Sequence, residues 1–309
     1  MLTGILLLDK PLGLSSNSAL QRVKRMLRAE KAGHVGSLDP LATGMLPICL
    51  GEATKIAGEI LSGRKRYLFT IALGSRTSTG DVEGPVVETQ PVPAFDRAAL
   101  EATLSRFLGK QTQIPPMYSA IKRDGQPLYK LARAGVEVER APRDIEIFEF
   151  AVIGFDARSV QLETSCAKGT YIRTLAEDIA KALGTRGHVS LLRRVHVEPF
   201  EGEPMVTLDA VSAFAEAGQL APLLSADRGV PHLPEVRLSA SATARVRHGQ
   251  AAGVAAETAP GRVRLYDAEG RFFGIGEADG FGSVQPRRLF VAPEADSPPG
   301  RGAPVAKTP

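Results

Sequence analysis

Cysteine and histidine are scarce in this 309-residue chain, with two cysteines, Cys49 and Cys166, and five histidines. Two cysteines cannot build a disulfide framework, and neither stands at the spacing of a metal-ligand pair. With no HExxH and no CxxC pair, no metal centre is expected. A glycine-rich loop ending in GK[ST] is missing, and so is the GxSxG elbow of a serine hydrolase. No apolar run approaches the roughly 18 residues that span a bilayer. The opening "MLTGILLLDKPLG" has no basic residue ahead of its apolar run and no small-residue cleavage site. It reads as a buried strand, not a secretion signal. These absences predict a cytoplasmic protein in a reducing compartment, without membrane attachment and without a cofactor.

What is present is an ordinary globular composition, 43% hydrophobic and 23% charged, with a formal net charge of +4. The length favours two domains over one. Basic residues gather in "QRVKRMLRAEKAGH", "GRKRY", "GTRGHVSLLRRVH" and "ARVRHG". Any one cluster is accounted for by a solvated helix face. Four of them flanking glycine-rich segments point to a nucleic-acid surface.

Periodicity predicts the main elements. "GILLLD" is a strand, and Ser16 or Asn17 caps a helix with Leu20, Val23 and Leu27 at helical spacing. Residues 33–44 form a loop, and "MLPICLG" is a strand leaving it. In "KRYLFTIALG", Tyr67, Phe69, Ile71 and Leu73 alternate onto one strand face. A helix runs from an Asp96 cap to Gly109, with Leu100, Leu104 and Phe107 on one side. A basic insertion spans about 124–143, as a protruding hairpin or short helical excursion. "SVQLETSC" is a strand, and a helix follows with Ile172, Leu175, Ile179 and Leu183 inward, stopped by Gly184. From about 230 the texture becomes that of short strands joined by turns. The proline-rich end reads as a disordered tail.

The stretch "GHVGSLDPLATG" holds one carboxylate, Asp39. An aspartate before a proline is ordinarily a turn residue. A carboxylate that must stay ionised in a pocket closed to water needs a cation beside it. Arg173, in the first turn of a helix, can supply one, although spacing alone describes a surface arginine. Tyr67, at the head of a strand, and Tyr171, at the head of a helix, each offer a flat face for a base. For both, a buried core tyrosine is the more ordinary reading. His34 stands at the mouth of the loop, where a solvated histidine and a phosphate contact are both open readings.

Five segments, "TGILLLDKPLGLSSN", "AGHVGSLDPLATGMLPICLGEATK", "KRYLFTIALGSRTSTGDVEG", "IPPMYSAIKRDGQPLYKLARAG" and "CAKGTYIRTLAEDIAKALG", occur in order over roughly the first 200 residues. Together they resemble the bacterial tRNA pseudouridine-55 synthases, the TruB family. The C-terminal part is similar, less tightly, to the PUA-type RNA-binding domain found there in that family. The resemblance implies an α+β fold: a mixed, largely antiparallel-sheet catalytic domain with flanking helices over 1–230, a small β-rich PUA-like domain over 231–293, and a tail from 294. It implies isomerisation of uridine 55 in the T arm of tRNA to pseudouridine by a monomer that needs no protein partner. Motif by motif, Asp39 in "GSLDP" is similar to the family's catalytic aspartate. His34 in "GHVG" matches a histidine contacting the flipped-out RNA, and Tyr67 in "KRY" the tyrosine stacking on the target base. Tyr171 and Arg173 in "GTYIRT" match pocket residues, the arginine pairing with the aspartate. Leu192 in "LLRR" matches a pocket wall and Lys55 in "GEATK" a basic residue near the site.

The implied chemistry suits these residue types. A uridine within folded RNA is reached only after it is turned out of its stack. Exchanging C1′–N1 for C1′–C5 calls for a carboxylate, an aromatic face and cations for phosphates, with no redox group. The carboxylate has three open roles: attack on the base, attack on the sugar, or removal of a sugar proton. The glycines and Ser37 are expected to thin the wall where RNA backbone approaches, and Pro40 to stiffen the loop presenting Asp39. Two other readings stand beside this one. One is an RNA-binding or tRNA-folding protein without chemistry. The other is a guide-RNA-dependent synthase acting on ribosomal RNA with partner proteins.

Overall fold

The computed structural model describes residues 2–219, 221–255 and 258–291. The chain separates into two compact units, residues 2–231 and the residues from His232 onward. Each has its own hydrophobic core. The tail expected from residue 294 lies outside the described residues.

In the first unit β1 (Gly4–Lys10) leads into α1 (Ser16–Met26), followed by β2 (Ala32–His34) and β3 (Ala42–Leu50). A 3₁₀ turn, Gly51–Ile56, and α2 (Ala57–Leu61) precede β4 (Lys65–Leu73), β5 (Ser75–Thr77) and β6 (Val86–Thr89). Then come α3 (Arg97–Ser105), β7 (Gly109–Gln113), the two-residue strands β8 (Lys122–Arg123) and β9 (Gln126–Pro127), and α4 (Leu128–Arg133). The unit continues with β10 (Arg143–Phe155), β11 (Ser159–Cys166), α5 (Ile172–Ala182), β12 (Gly187–Val197) and α6 (Leu208–Glu216). The main sheet has the order β1-β3-β12-β4-β11-β10-β7, with β2 also on β3. β12 runs parallel to β3 and antiparallel to β4, and the other pairings in this sheet are antiparallel. The fold is α+β, as expected.

Alternation makes the strands. On β11, Val160, Leu162, Thr164 and Cys166 turn inward, while the residues between them reach the half-exposed face. On β4, Phe69 and Ile71 are fully buried, and Tyr67 and Leu73 pack against the same core while staying half-exposed. Helix α5 lays Ile172, Leu175 and Ile179 onto the sheet. Each such side chain removed from water contributes about 1.5–3 kcal/mol. The insertion is both a hairpin and a helix. Asp124 and Gly125 take positive φ at the turn between β8 and β9, and α4 follows directly.

Three local expectations are corrected. The cap of α1 is Ser15, whose hydroxyl accepts from Ser18 N, because Ser16 is engaged elsewhere. The segment 33–44 is a loop only from 35 to 41, since β2 ends at His34 and β3 begins at Ala42. The cluster "GHVSLLRRVH" is neither a helix face nor an open basic surface. It is the interior strand β12, with Arg194 buried and Arg193 forming a two-pronged ion pair with Asp9 at 2.9 Å through each nitrogen.

The second unit has the sheet order β13 (Glu235–Arg237), β15 (Gly261–Tyr266), β16 (Phe272–Ala278), β17 (Ser283–Leu289), β14 (Ala252–Gly253). Val236, Val246, Val263, Leu265, Phe273 and Val284 form its core. The stretch "ASATARVR", expected as part of the strand texture, is helix α7 (Ala240–Arg247), because Ser239 caps it and only Thr243 and Val246 turn inward at helical spacing. Among the described residues no helix is long and apolar enough to cross a membrane.

Candidate active site

The loop at 35–41 is held from several sides. The Ser16 hydroxyl donates to Leu38 O at 3.0 Å and accepts from Leu38 N at 2.7 Å. Ala42 N closes a turn on Asp39 O at 3.0 Å, and Gly13 N donates to Pro40 O at 2.8 Å. From below, the buried Lys10 ammonium donates to Leu14 O at 2.6 Å, Pro11 O at 3.0 Å and Pro40 O at 3.4 Å. These bonds fix the backbone on both sides of Asp39, which a lone Pro40 would not achieve.

Two glycines of the stretch 33–44, Gly36 in the loop and Gly44 on β3, serve the protein's own packing. Gly44 has φ +98°, and a Cβ there would lie 2.2 Å from Arg194 O, so its missing side chain is what lets β12 pair with β3. Gly36, at φ +72°, would direct a Cβ to within 3.2 Å of the Arg194 guanidinium. That guanidinium donates to Met45 O at 2.7 Å and Gly36 O at 2.9 Å, tying β12 to the loop from the other end.

Asp39 and Arg173 meet. Arg173 Nε lies 2.9 Å from Asp39 Oδ2 and 3.7 Å from Asp81 Oδ2. Its Nη1 donates to Thr79 O at 2.7 Å and its Nη2 to Tyr118 O at 2.6 Å. With 4% of its side chain exposed, against 40% for Asp39, the guanidinium is the fixed member and the carboxylate the accessible one. Withdrawal from water raises the Asp39 pKa above the ordinary value of 3.8, opposed by the Arg173 charge and reinforced by Asp81. Asp81 is itself anchored, accepting from Thr79 Oγ1 at 2.5 Å and Glu83 N at 3.0 Å.

Asp39 opens into a cavity of about 630 Å³, and Tyr67, Tyr171, Arg173 and Leu192 line the same cavity. Tyr67 comes from the middle sheet strand β4, where burial raises its hydroxyl pKa and the neighbouring Arg194 charge opposes that. Tyr171 precedes α5, its backbone bracketed by the Gln113 side chain, which accepts from Tyr171 N at 2.8 Å and donates to its carbonyl at 3.1 Å. Leu192 sits on β12 opposite Ala42 and Phe69.

Two sequence candidates stand apart from this cavity lining. His34 is at the end of β2, its Nδ1 buried without a hydrogen-bond partner, its pKa lowered by burial and then by Arg194. Lys55 lies on the 3₁₀ turn and pairs with Glu52 at 2.6 Å.

Sequence reasoning missed Lys10, Lys65, Asp81, Arg143, Lys168 and Arg194. Lys65 is buried, donating to Leu61 O at 2.5 Å and Gly63 O at 2.6 Å, and burial lowers its pKa to about 8. Burial likewise takes Lys10 to about 8, with Asp39 resisting. A signal did exist for some of them. Lys10 stands in "LDKP" and Asp81 in "TGDVEG", both inside the matched segments, yet neither motif says that its charge turns inward. Among the described residues no group of three or more His, Cys, Asp or Glu could hold a metal ion.

A site of this kind combines an accessible carboxylate with a fixed cation, two aromatic rings and further cations, Lys65, Arg143 and Lys168, around one cavity. That set can hold a planar, partly polar ring joined to an anionic backbone. The fold is similar to the crystal structure of a Cbf5–Nop10–Gar1 complex, 26% identical, covering 93% of this chain and 85% of that one at a TM-score of 0.70. It is also similar, in fold alone, to the structure of an H/ACA RNP bound to a substrate RNA containing 2′-deoxyuridine, at 24% identity, 94% and 85% coverage and a TM-score of 0.70. Residues 24–172 match the TruB family pseudouridylate synthase N-terminal domain, which makes the class that of the pseudouridylate synthases. Residues 173–225 match the tRNA pseudouridylate synthase B C-terminal domain, and 234–290 the C-terminal domain of pseudouridine synthase II TruB. The tRNA pseudouridine synthase B of Sodalis glossinidius is 49% identical over 300 residues, 94% of this chain and 96% of that protein. That of Burkholderia lata is 50% identical over 296 residues, 94% and 91% of the two chains. The chain belongs to the TruB family of pseudouridylate synthases.

Proposed function

We propose that this enzyme isomerises uridine 55 in the T arm of tRNA to pseudouridine, with Asp39 as its catalytic residue. The observation that carries the assignment is the accessible Asp39 carboxylate held 2.9 Å from a buried, fully engaged Arg173 at the mouth of an aromatic-lined cavity. The name shared by its half-identical relatives, tRNA pseudouridine synthase B, supports the substrate. In the reaction the C1′–N1 bond breaks, the uracil turns, and C1′–C5 forms. C5 loses a proton and N1 gains one, so atoms balance with no oxidant or reductant.

Each residue has a part in this reading. Tyr67 presents its ring to the turned-out uracil. Tyr171 and Leu192 close the cavity around it, and Arg173 keeps Asp39 oriented and charged. Arg143 and Lys168 face the phosphates. His34 and Lys55, off the cavity lining, are assigned to RNA on its way to the cavity. The second unit is a PUA-like module that adds RNA contact. The enzyme works as a cytoplasmic monomer without partner proteins, guide RNA, metal or cofactor.

The test uses the purified chain and an isolated T-stem-loop labelled with tritium at C5 of uridine 55. The wild type is expected to release tritium unaided. Asp39→Asn is expected to bind the RNA within about twofold of wild type while release falls roughly 10³-fold or more. Structural cost is small, because Asp81 still neutralises Arg173. Release that persists in the variant overturns the role of Asp39, and release that requires added partners overturns the stand-alone reading.

A further inference from the structure

The Asp39 cavity holds more fixed positive charge than the pairing described above uses. Asp39 and Asp81 share Arg173, and the Asp39 charge also acts on the buried Lys10. Two further buried cations line the cavity, Lys65 and Arg194, at 5% and 1% exposure. Among the described residues neither is paired with a carboxylate, and both donate to backbone carbonyls instead. Negative charge that forms beside an unpaired buried cation is strongly stabilised, because little water screens the attraction.

Lys65 is the better placed of the two. It stands two residues before Tyr67 on β4, so both side chains leave the strand on the same face, and both line the cavity. An ammonium has three N–H donors. Leu61 O, at the end of α2, and Gly63 O take two of them. Those bonds hold the ammonium in place and leave one N–H for a group that enters the cavity. Burial lowers the Lys65 pKa to about 8, with the charges of Arg194 and Lys168 adding to the fall and Glu198 opposing it. Its neighbour Cys166 on β11 stays a neutral thiol, pushed up to about 11 by burial. At pH 7 the ammonium is therefore still charged, and its charge is lost as pH rises through about 8.

In each of the three roles open to Asp39, the uracil gains negative charge. Attack on the base at C6 leaves an enolate on a ring oxygen. Attack on the sugar, or removal of a sugar proton, breaks C1′–N1 with its electron pair going to the uracil. That charge spreads over N1, O2 and O4, and it is withdrawn again when C5 bonds to C1′. A donor fixed at one of these oxygens before the reaction favours the charged state over the bound substrate.

We infer that Lys65 is a further catalytic residue, its ammonium donating a hydrogen bond to a carbonyl oxygen of the turned-out uracil and stabilising the charge that collects there as C1′–N1 breaks. The inference rests on the proposed isomerisation and adds to it the cation that Arg173, already paired with Asp39, does not supply. No proton leaves Lys65, so the balance of the reaction is unchanged.

The experiment measures T-stem-loop affinity, tritium release and their pH dependence for wild type, Lys65→Met and Lys65→Arg. Lys65→Met is expected to bind within about twofold of wild type at pH 7. Its single-turnover release is expected to fall roughly 10²- to 10³-fold, the range for one donor to a developing oxyanion. In wild type, kcat/KM is expected to fall as pH rises through about 8, and Lys65→Arg, which stays protonated, is expected to lack that fall. Release by Lys65→Met close to the wild-type rate, or a loss of affinity as large as the loss of rate, overturns the inference. So does an alkaline fall shared by wild type and Lys65→Arg, or none in wild type up to about pH 9. Circular dichroism identifies a methionine variant that fails to fold, and the wild-type and arginine profiles then decide. Each of these outcomes leaves the proposed function standing while wild type converts the stem-loop unaided. If wild type does not convert it, both readings fall.

Discussion

The two units of the chain treat charge in opposite ways. In residues 2–231, Lys10, Lys65, Asp81, Arg173 and Arg194 are all buried, whereas among the described residues from His232 onward Asp267 is the one buried charge. Asp267 organises a hairpin turn, accepting from Glu269 N and Arg271 N. The cations of the first unit instead converge on the Asp39 loop and its cavity, and the four of them donate to backbone carbonyls. Burying an ion costs several kcal/mol unless it is paired and bonded. In the first unit that cost is offset by the carbonyl bonds and, for Arg173, by the Asp39 and Asp81 carboxylates. In the second unit Arg237, Arg245, Arg287 and Arg288 are exposed, so its arginine charge is solvated instead.

This contrast is broken most severely at Arg173. Arg173→Ala leaves Asp39 and Asp81 facing each other without their shared cation. It is expected to cost about 3–5 kcal/mol in urea unfolding and roughly 10³-fold in single-turnover tritium release. Arg173→Lys keeps the charge but loses the fork that reaches Thr79 and Tyr118, and should fall between the two. An alanine variant as stable and active as wild type would mean that the buried charges are incidental.

A smaller effect lies in the pH profile. Burial raises the Asp39 pKa, so its ionised form is lost as pH falls through a value above 3.8, the ordinary one. The acid limb of the single-turnover rate is therefore expected above the usual aspartate range. Asp81→Asn removes a like charge and should move the limb to lower pH. A limb at the ordinary value would place Asp39 in effectively open water.

The least disturbing change separates the units. A chain ending at Pro231 retains the first core and the whole cavity. It is expected to bind tRNA about tenfold more weakly while turning over saturating T-stem-loop at the wild-type rate. Unchanged affinity with a lower rate would assign the second unit to the chemistry.

Much of the architecture was legible because its signals are local. Strands β1, β4 and β11 alternate or run apolar, and α1, α3 and α5 carry stripes at helical spacing with a cap or stop beside them. The interior strand β12 escaped because Arg193 and Arg194 read as a basic surface. Their placement depends on Asp9, Met45 and Gly36, which lie 149 to 184 residues upstream along the chain. Helix α7 escaped for a different reason, since eight residues with few large apolar side chains leave little periodicity to read.

The site divides in the same way. The sequence by itself determined the chemical inventory: one carboxylate in a constrained loop, tyrosines at the heads of a strand and a helix, an arginine one residue into α5, and no metal or nucleotide motif. Only the tertiary structure decided that Arg173 turns inward to Asp39, that Asp81 stands behind it, and that Tyr67, Tyr171 and Leu192 share their cavity while Lys55 pairs with Glu52. The physical reason is that a charge's direction is set by what can bond to it. For Arg173 those partners are carbonyls and carboxylates from segments that the sheet alone brings together.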